Sequence, residues 1–264
     1  MNEVLQRIKD HSLIAKLKGY EVVGVFLQGS QNYKLEYSGS DIDSKAIILP
    51  NFDDFVWSKK PVSTTCILDN DEHIDLKDIR PMFECFKKQN INFVEILFTD
   101  YKFMNPRYAD LFQPMFDHRE KIARYHNYKA INCMAGMSYE KYKALEHPYP
   151  SIVDKIEKYH YDPKQLHHIL RLKEFIKRYI AGEKYADCLI SKKTDYLIEV
   201  KKGLHTVEEA REIAKDSVDE IRQIKDDYMD NNEVMINRDV EEIMDNVMLN
   251  IMKRKFRLDI FDNE

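Results

Sequence analysis

The order of apolar and polar residues predicts one helix and three strands in the N-terminal part of the chain. Residues 3–18 repeat apolar side chains at helical spacing, which predicts an amphipathic helix. Residues 22–27 and 45–49 are short apolar runs, and such runs are typical of buried strands. Residues 72–79 alternate between apolar and polar side chains, so we expect a strand with one face in the core.

The following segments are predicted to be mostly helical. Residues 51–60 form a loop or a short helix, in which we expect Trp57 to be a packing anchor. Pro81 lies where prolines are favoured, in the first turn of a helix. Residues 90–98 form a helix or a strand, and from about residue 119 onward the apolar spacing is helical.

The later helices carry clear end signals. The helix predicted over residues 162–180 opens with an aspartate and a proline, and Gly182 lies just past its end. A threonine and a glutamate in capping-box relation open the helix over residues 206–225, and a last helix covers residues 239–256. These patterns predict a helical C-terminal half.

The fold class that follows is α+β. We expect a lobe with a small mixed sheet over residues 1–115 and an all-helical lobe over residues 116–264. The boundary is placed in the connecting region that contains Pro106 and Pro114.

Composition narrows the class of protein. Apolar residues make up 44% of the 264, which is ordinary for a globular protein, and only seven glycines favour a helical chain with few loops. A net charge of −5, spread along the chain, excludes a bulk basic nucleic-acid binder but leaves room for a local basic groove. The four cysteines are far apart and show no CxxC pattern, which predicts reduced thiols.

No segment predicts secretion or membrane insertion. The N-terminus is charged and amphipathic, without the apolar core of a signal peptide. No apolar run approaches the roughly 20 residues that a membrane span needs. The sequence therefore predicts a cytoplasmic protein without a membrane partner, and it leaves the oligomeric state open.

Candidate chemistry lies between the first two strands. Asp41 and Asp43 are two residues apart at the head of the second strand, so their carboxylates project to the same side. Paired carboxylates suit a divalent cation such as Mg²⁺. Gly29 and Ser30 form a turn with backbone N–H groups and a hydroxyl that suit phosphate. Together they indicate phosphoryl or nucleotidyl transfer, and the simpler alternative is a hairpin with an Asp-rich turn.

A second set of polar residues lies on the helix over residues 162–180. Lys164, His168 and Arg171 are spaced i, i+4, i+7 and therefore share one face. Such a basic face suits a nucleotide triphosphate, because arginine can hold phosphate with two hydrogen bonds and lysine supplies a point charge. The alternative is a solvated helix face.

These motifs carry a resemblance to a known family. Gly29-Ser30, followed after eleven positions by Asp41-Ile42-Asp43 between two strands, resembles the signature of the DNA polymerase beta-like nucleotidyltransferase superfamily. The segment Tyr161-Asp162-Pro163-Lys164, with His168 and Arg171 after it, resembles the helical motif of one branch, the standalone bacterial and phage predicted nucleotidyltransferases. Weaker likeness at residues 90–98 and 196–203 extends the match over roughly residues 20–225. Ile91 stands where that branch would have proline.

The resemblance implies a fold, a site and a reaction. It implies a third carboxylate on a following strand, for which Asp75 fits and Asp78, which falls off the polar stripe, is the rival. It implies Mg²⁺ or Mn²⁺ on Asp41, Asp43 and Asp75, and an active site in a cleft between the two lobes. Gly29, Ser30, Lys164, His168 and Arg171 would then bind the NTP.

The implied activity is transfer of a nucleoside monophosphate from an NTP to an acceptor hydroxyl, with release of pyrophosphate. The expected acceptor is RNA, such as a tRNA end. Two alternatives remain open: a non-catalytic nucleotide or RNA sensor, and an enzyme that transfers AMP to a protein.

Overall fold

The computed structural model describes residues 3–36 and 41–261. The predicted loop of Ser38, Gly39 and Ser40 lies outside these residues. The described chain forms two compact units, each treated by itself below. The first contains residues 3–32, 41–125 and 236–261, and the second contains residues 33–36 and 126–235.

The first unit is built on a five-stranded mixed sheet. The strand order is β3-β4-β2-β1-β5, in which β2 and β4 are parallel and all other neighbours are antiparallel. This confirms the predicted α+β class with a small mixed sheet. The strand bounds are β1 Glu21–Leu27, β2 Ser44–Leu49, β3 Ser63–Ile67, β4 His73–Asp78 and β5 Lys102–Met104.

Helices surround the sheet of the first unit. Asp78 ends β4 and caps the next helix by accepting a hydrogen bond from the N–H of Arg80, so that helix begins two residues before Pro81. Asn90 caps another in the same way, which settles residues 90–98 as helical. The bounds are α1 Glu3–Leu17, α2 Phe52–Val56, α3 Ile79–Lys87, α4 Ile91–Val94, α5 Ala109–Asp117, α6 Arg119–Ile122 and, near the C-terminus, Arg238–Phe261.

The two faces of the sheet have different cores. One face packs against α1, where Ile8 and Ala15 meet apolar side chains of β1, β2 and β4 such as Leu27, Ala46 and Ile74. The other face carries Phe26, whose ring lies 5.9 Å from that of Phe112 in α5. Because side chains alternate along a strand, β1 and β2, which are buried on both faces, contribute to both cores.

The second unit is helical, as predicted. Its core joins Leu166 and Ile169 of α9 to Val200 of α11 and Ala210 of α12. The capping box of Thr206 and Glu209 is present at the start of α12. The bounds are α7 Asn127–Lys143, α8 Val153–Tyr159, α9 Pro163–Ile180, α10 Tyr185–Leu189, α11 Thr194–Lys201 and α12 Val207–Asn231. Numbered in chain order, the helix Arg238–Phe261 of the first unit is α13. None of the helices in the described ranges is long and apolar enough to cross a membrane.

The division of the chain differs from the predicted boundary at residues 115 and 116. The first unit continues to residue 125 and also includes α13, which was predicted to belong to the helical lobe. The helix α13 packs on α5, α3 and α2. Arg254 forms a two-pronged ion pair with Asp110 of α5 at 2.7 and 3.0 Å, and the ring of Phe256 lies 5.1 Å from that of Phe55.

The position of Trp57 differs from a second expectation. It was predicted to be a packing anchor, but the residue is 75% exposed. The helix α2 is only one turn and a half long, and its packing face is taken by Phe52 and Phe55 against Phe256. Ser58 then adopts a left-handed conformation with φ of 51°, which ends the helix and leaves Trp57 outside the core.

Candidate functional site

The Gly-Ser turn is tied directly to the start of β2. The N–H of Gln28, just after β1, donates to the carbonyl of Asp43 at 2.9 Å. Gly29 has a φ of +84°, a conformation that other residues rarely adopt, and a short 3-10 helix starts at Ser30. The side chain of Asn32 holds the turn by donating to the carbonyl of Leu27 at 2.7 Å. The structure thus brings the turn and Asp43 together.

Asp43 points to the side of the sheet predicted from the alternation. Its neighbour Ile42 packs against the α1 core, and Asp43 faces the other way. Its Oδ1 accepts hydrogen bonds from the backbone N–H of His73 at 2.9 Å and from Nδ1 of the same ring at 3.1 Å. Because a carboxylate can only accept in this arrangement, Nδ1 of His73 carries the proton.

Asp75 lies on the same face as Asp43, one strand away. In the parallel β2–β4 register, Asp75 is opposite Lys45, and Lys45 is two residues after Asp43 on β2. The Nζ of Lys45 is 3.2 Å from Oδ2 of Asp75 and also donates to the side-chain oxygen of Gln28. Asp78, the rival candidate, instead caps α3 and forms an ion pair with Arg80. These contacts give Asp78 a structural role.

Lys45 is largely buried beside an aromatic ring. Its Nζ lies 4.7 Å from the ring centre of Phe93, and the side chain is 8% exposed against 22% for Asp75. Burial lowers the pKa of Lys45, and Asp75 counteracts this by favouring the charged form. The ammonium group is therefore the local partner of the Asp75 carboxylate.

The three predicted metal ligands are not assembled into one close group. Asp41 is exposed and lies before the first residue of β2. Within residues 3–36 and 41–261, no three or more His, Cys, Asp or Glu side chains are close enough to hold a metal ion. What the structure brings together is Asp43 beside His73, and Asp75 beside Lys45.

Sequence reasoning missed Lys45 and His73. The signal was present, because Lys45 shares the polar side of β2 with Asp43 and stands in an otherwise apolar run. His73 belongs to the polar stripe of β4 that contains Asp75. Which of these residues meet depends on the β2–β4 register, and alternation within one strand does not specify register.

A separate polar cluster lies on the α1 face of the sheet. Nδ1 of His11 is 2.9 Å from Oγ of Ser44, and Nε2 is 2.9 Å from Oε2 of Glu72, which Arg7 also holds at 3.1 Å. Burial lowers the pKa of His11. A neutral ring then donates from Nε2 to Glu72 and accepts from the hydroxyl of Ser44. Both His11 and Ser44 are fully buried, so this Ser–His–Glu arrangement joins α1 to the sheet and offers no access to a substrate.

The predicted nucleotide contacts in the second unit lie along α9. Lys164 is exposed next to the N-cap Asp162. Arg171 is only 8% exposed, and its guanidinium group stacks 3.5 Å from the ring centre of Tyr33. Stacking on an aromatic face orients an arginine. His167 is a packing residue, since its Nδ1 donates to the carbonyl of Leu197 at 2.9 Å.

His168 departs from the predicted role of a cation. Desolvation lowers the pKa of His168 well below its ordinary value, and nearby positive groups, including Lys141, Arg171 and Lys164, lower it further. His168 is therefore neutral at pH 7 and can act only as a hydrogen-bonding group. The charge of this helix face rests on Lys164 and Arg171.

No protein-family model matches the chain. No curated protein matches it either.

Proposed function

We propose that the protein is a metal-dependent nucleotidyltransferase that moves a nucleoside monophosphate from an NTP to an acceptor hydroxyl. The observation that carries this proposal is the arrangement of Gly29, Ser30, Asp43 and Asp75 at one end of β1, β2 and β4. The Gly-Ser turn is hydrogen-bonded to Asp43 through Gln28, and the β2–β4 register brings Asp75 to the same face. A phosphate-binding turn beside carboxylates suits phosphoryl chemistry.

The donor set fits a hard divalent cation. The side chains of Asp43 and Asp75 are 33% and 22% exposed, so water and ions reach both carboxylates. Oxygen donors of this kind suit Mg²⁺ or Mn²⁺. In the proposal Asp43 and Asp75 hold the cation together with Asp41, and cation binding draws together carboxylates that are not close enough to hold a metal ion in the described structure. When bound, such a cation neutralises phosphate charge and lowers the pKa of a bound hydroxyl.

The residues of the chain supply the remaining functions. Gly29 and Ser30 would bind phosphate oxygens through backbone N–H groups and the Ser30 hydroxyl. Asp75 would accept the proton of the acceptor hydroxyl, whose oxygen attacks the α-phosphorus while the bond to pyrophosphate breaks. His73 fixes the orientation of the Asp43 carboxylate. In the helical unit, Lys164 and Arg171 carry the charge of the helix face predicted to contact a nucleotide, and His168 would supply a neutral hydrogen bond there.

The acceptor in this proposal is RNA with an accessible hydroxyl, such as a tRNA end. The net charge of −5 disfavours a long non-specific footprint on nucleic acid, so a short or structured acceptor fits better.

The test is transfer of label from each α-phosphate-labelled NTP, with Mg²⁺ or Mn²⁺, to total RNA and total protein. We expect labelled RNA with the native protein and none with an Asp41→Ala, Asp43→Ala double variant. Asp53→Asn is the matched control, because this exposed carboxylate of the same unit lies on α2, beyond the end of β2 that is opposite to Asp41 and Asp43. Equal labelling by the native protein and the double variant would refute the proposal, and labelled protein would identify an AMP-transferring enzyme with a protein acceptor.

A second candidate function is a non-catalytic nucleotide or RNA sensor. It is favoured by the ion pair between Lys45 and Asp75, since an ammonium already occupies one side of the carboxylate that the reaction would use. The absence of a three-carboxylate group among the described residues also favours it. NTP binding by calorimetry without pyrophosphate release, for every NTP and both cations, would support the sensor.

A further inference from the structure

The outer edge of the sheet is an unprotected strand. The strand β3 is last in the strand order of the described residues, and Ser63, Thr64, Thr65 and Ile67 are exposed. Edge strands of natural proteins are normally guarded by charged side chains, proline or a bulge, because their backbone can pair with another chain. The sequence Ser63-Thr64-Thr65-Cys66-Ile67 contains no charge and no proline, and its pairing with β4 has no register shift.

The hydrogen bonds to β4 show which backbone groups of β3 face outward. The N–H of Asp78 donates to the carbonyl of Val62, and the N–H of Leu68 donates to that of Glu72. In an antiparallel pair every second residue bonds to the partner strand, so Thr64 and Cys66 bond to β4 like Val62 and Leu68. The N–H and C=O groups of Ser63, Thr65 and Ile67 therefore point away from the sheet.

The charges on the two sides of β3 have opposite signs. Lys59 and Lys60 come before the strand, and Asp69 and Asp71 come after it, all exposed. If a second β3 lies antiparallel with Thr65 facing Thr65, Lys59 and Lys60 of one copy come near the turn of the other copy that holds Asp69 and Asp71 and leads into β4. The same attraction occurs at both ends, and Lys59, which now pairs with Asp54 at 2.6 Å, can exchange that exposed partner for a carboxylate of this turn.

We propose that two copies of the chain pair through β3, antiparallel and centred on Thr65. The outward groups of Ser63, Thr65 and Ile67 would form about six hydrogen bonds across the interface. The exposed side chain of Ile67 would lie beside Ser63 of the second copy. The two five-stranded sheets become one continuous sheet. A second copy is favoured over an unrelated peptide because β3 is preceded by basic residues and followed by acidic residues. Between two copies these opposite charges meet only when the two strands are antiparallel.

The first test is the mass of the full chain by analytical ultracentrifugation over a concentration series. We expect a species of twice the 31.5 kDa chain mass. Thr65→Pro removes an outward N–H and leaves the bonds to β4 intact, so it should give a monomer with an unchanged circular dichroism spectrum. A monomeric native protein, or a Thr65→Pro variant that remains dimeric, would overturn the proposal.

Charge exchange tests the interface without changing the strand. A Lys59→Glu, Lys60→Glu variant and an Asp69→Lys, Asp71→Lys variant should each dimerise more weakly than the native protein, because like charges then face each other. A mixture of the two should form the mixed dimer, in which both ends are attractive again. Failure of the mixture to associate more strongly than either variant alone would contradict the antiparallel arrangement.

The register can be tested with a native thiol. When Thr65 faces Thr65, Thr64 lies opposite Cys66 of the second copy in a non-hydrogen-bonded pair, where Cα atoms are about 4.5 Å apart and a disulfide fits. Thr64→Cys should therefore form a disulfide-linked dimer under mild oxidation. Ser63→Cys is the matched control and should not, because its side chain is on the other face. Equal cross-linking in both variants would refute this register.

Discussion

The Lys45–Asp75 pair allows a quantitative prediction, because both side chains are largely removed from water. The ammonium side chain is 8% exposed and the carboxylate side chain 22%, with 3.2 Å between Nζ and Oδ2. Removing one partner of a fully buried pair costs about 3–5 kcal/mol, since the other charge is left without compensation. Water reaches Asp75 in part, so we expect the free energy of unfolding to fall by about 2 kcal/mol in Lys45→Met and in Asp75→Asn.

The double variant isolates the interaction between the two groups. With both charges removed, the loss should be smaller than the sum of the single losses, which gives a coupling energy of about 1–2 kcal/mol. Urea denaturation at constant pH and salt measures the free energy of unfolding of the native protein, the two single variants and the double variant. The control is the same double-variant cycle on the Arg238–Glu241 pair, whose side chains are 73% and 25% exposed. For this pair we expect a coupling energy of less than about 0.5 kcal/mol. A Lys45–Asp75 coupling no larger than this control would refute the reasoning from burial.

Two further predictions concern the helical unit. Burial lowers the pKa of His167 to about 4 from 6.5, so its proton is taken up mainly by the unfolded chain. The contribution of neutral His167 to the free energy of unfolding is constant above pH 6.5, and about 3 kcal/mol of it is lost between pH 6.5 and pH 4. Urea denaturation at a series of pH values should show this slope, and the slope should be smaller in His167→Asn. Gly203 has a φ of +89°, and an added Cβ would lie 2.3 Å from the ring of Tyr159. We therefore expect Gly203→Ala to destabilise by about 1–3 kcal/mol in thermal unfolding, whereas Gly136→Ala, with open space around it, should not.

Local signals in the sequence predicted the elements well. The apolar runs 22–27 and 45–49 and the alternation over 72–79 correspond to β1, β2 and β4 within one or two residues. The Asp162 cap and the Thr206 capping box act at the helix ends where they were expected. In each case the deciding interaction lies within a few residues of the signal, so spacing along the chain was sufficient.

Long-range placement could not be predicted in the same way. The apolar stripe of α13 predicted a helix, but nothing in its periodicity distinguishes packing on α5 from packing in the helical unit. Trp57 was expected inside because of its size, yet Phe52 and Phe55 occupy the short packing face of α2. The site shows the same limit, since the Lys45–Asp75 contact depends on a register across 30 residues of sequence.

The position of Lys45 also allows a test of whether Asp75 binds the cation. If Asp75 binds a divalent cation, the Lys45 ammonium competes for the same carboxylate, and linkage requires that removing it tightens cation binding. Lys45→Met should then bind Mn²⁺ several-fold more tightly than the native protein in electron paramagnetic resonance titrations. Lys87→Met is the control, because the ammonium group of Lys87 pairs with Asp245 and not with Asp75. If Asp75 serves only the structural pair, Lys45→Met loses stability while Mn²⁺ affinity stays unchanged. The latter result would count against Asp75 as a metal ligand even if the labelled-NTP assay gave transfer.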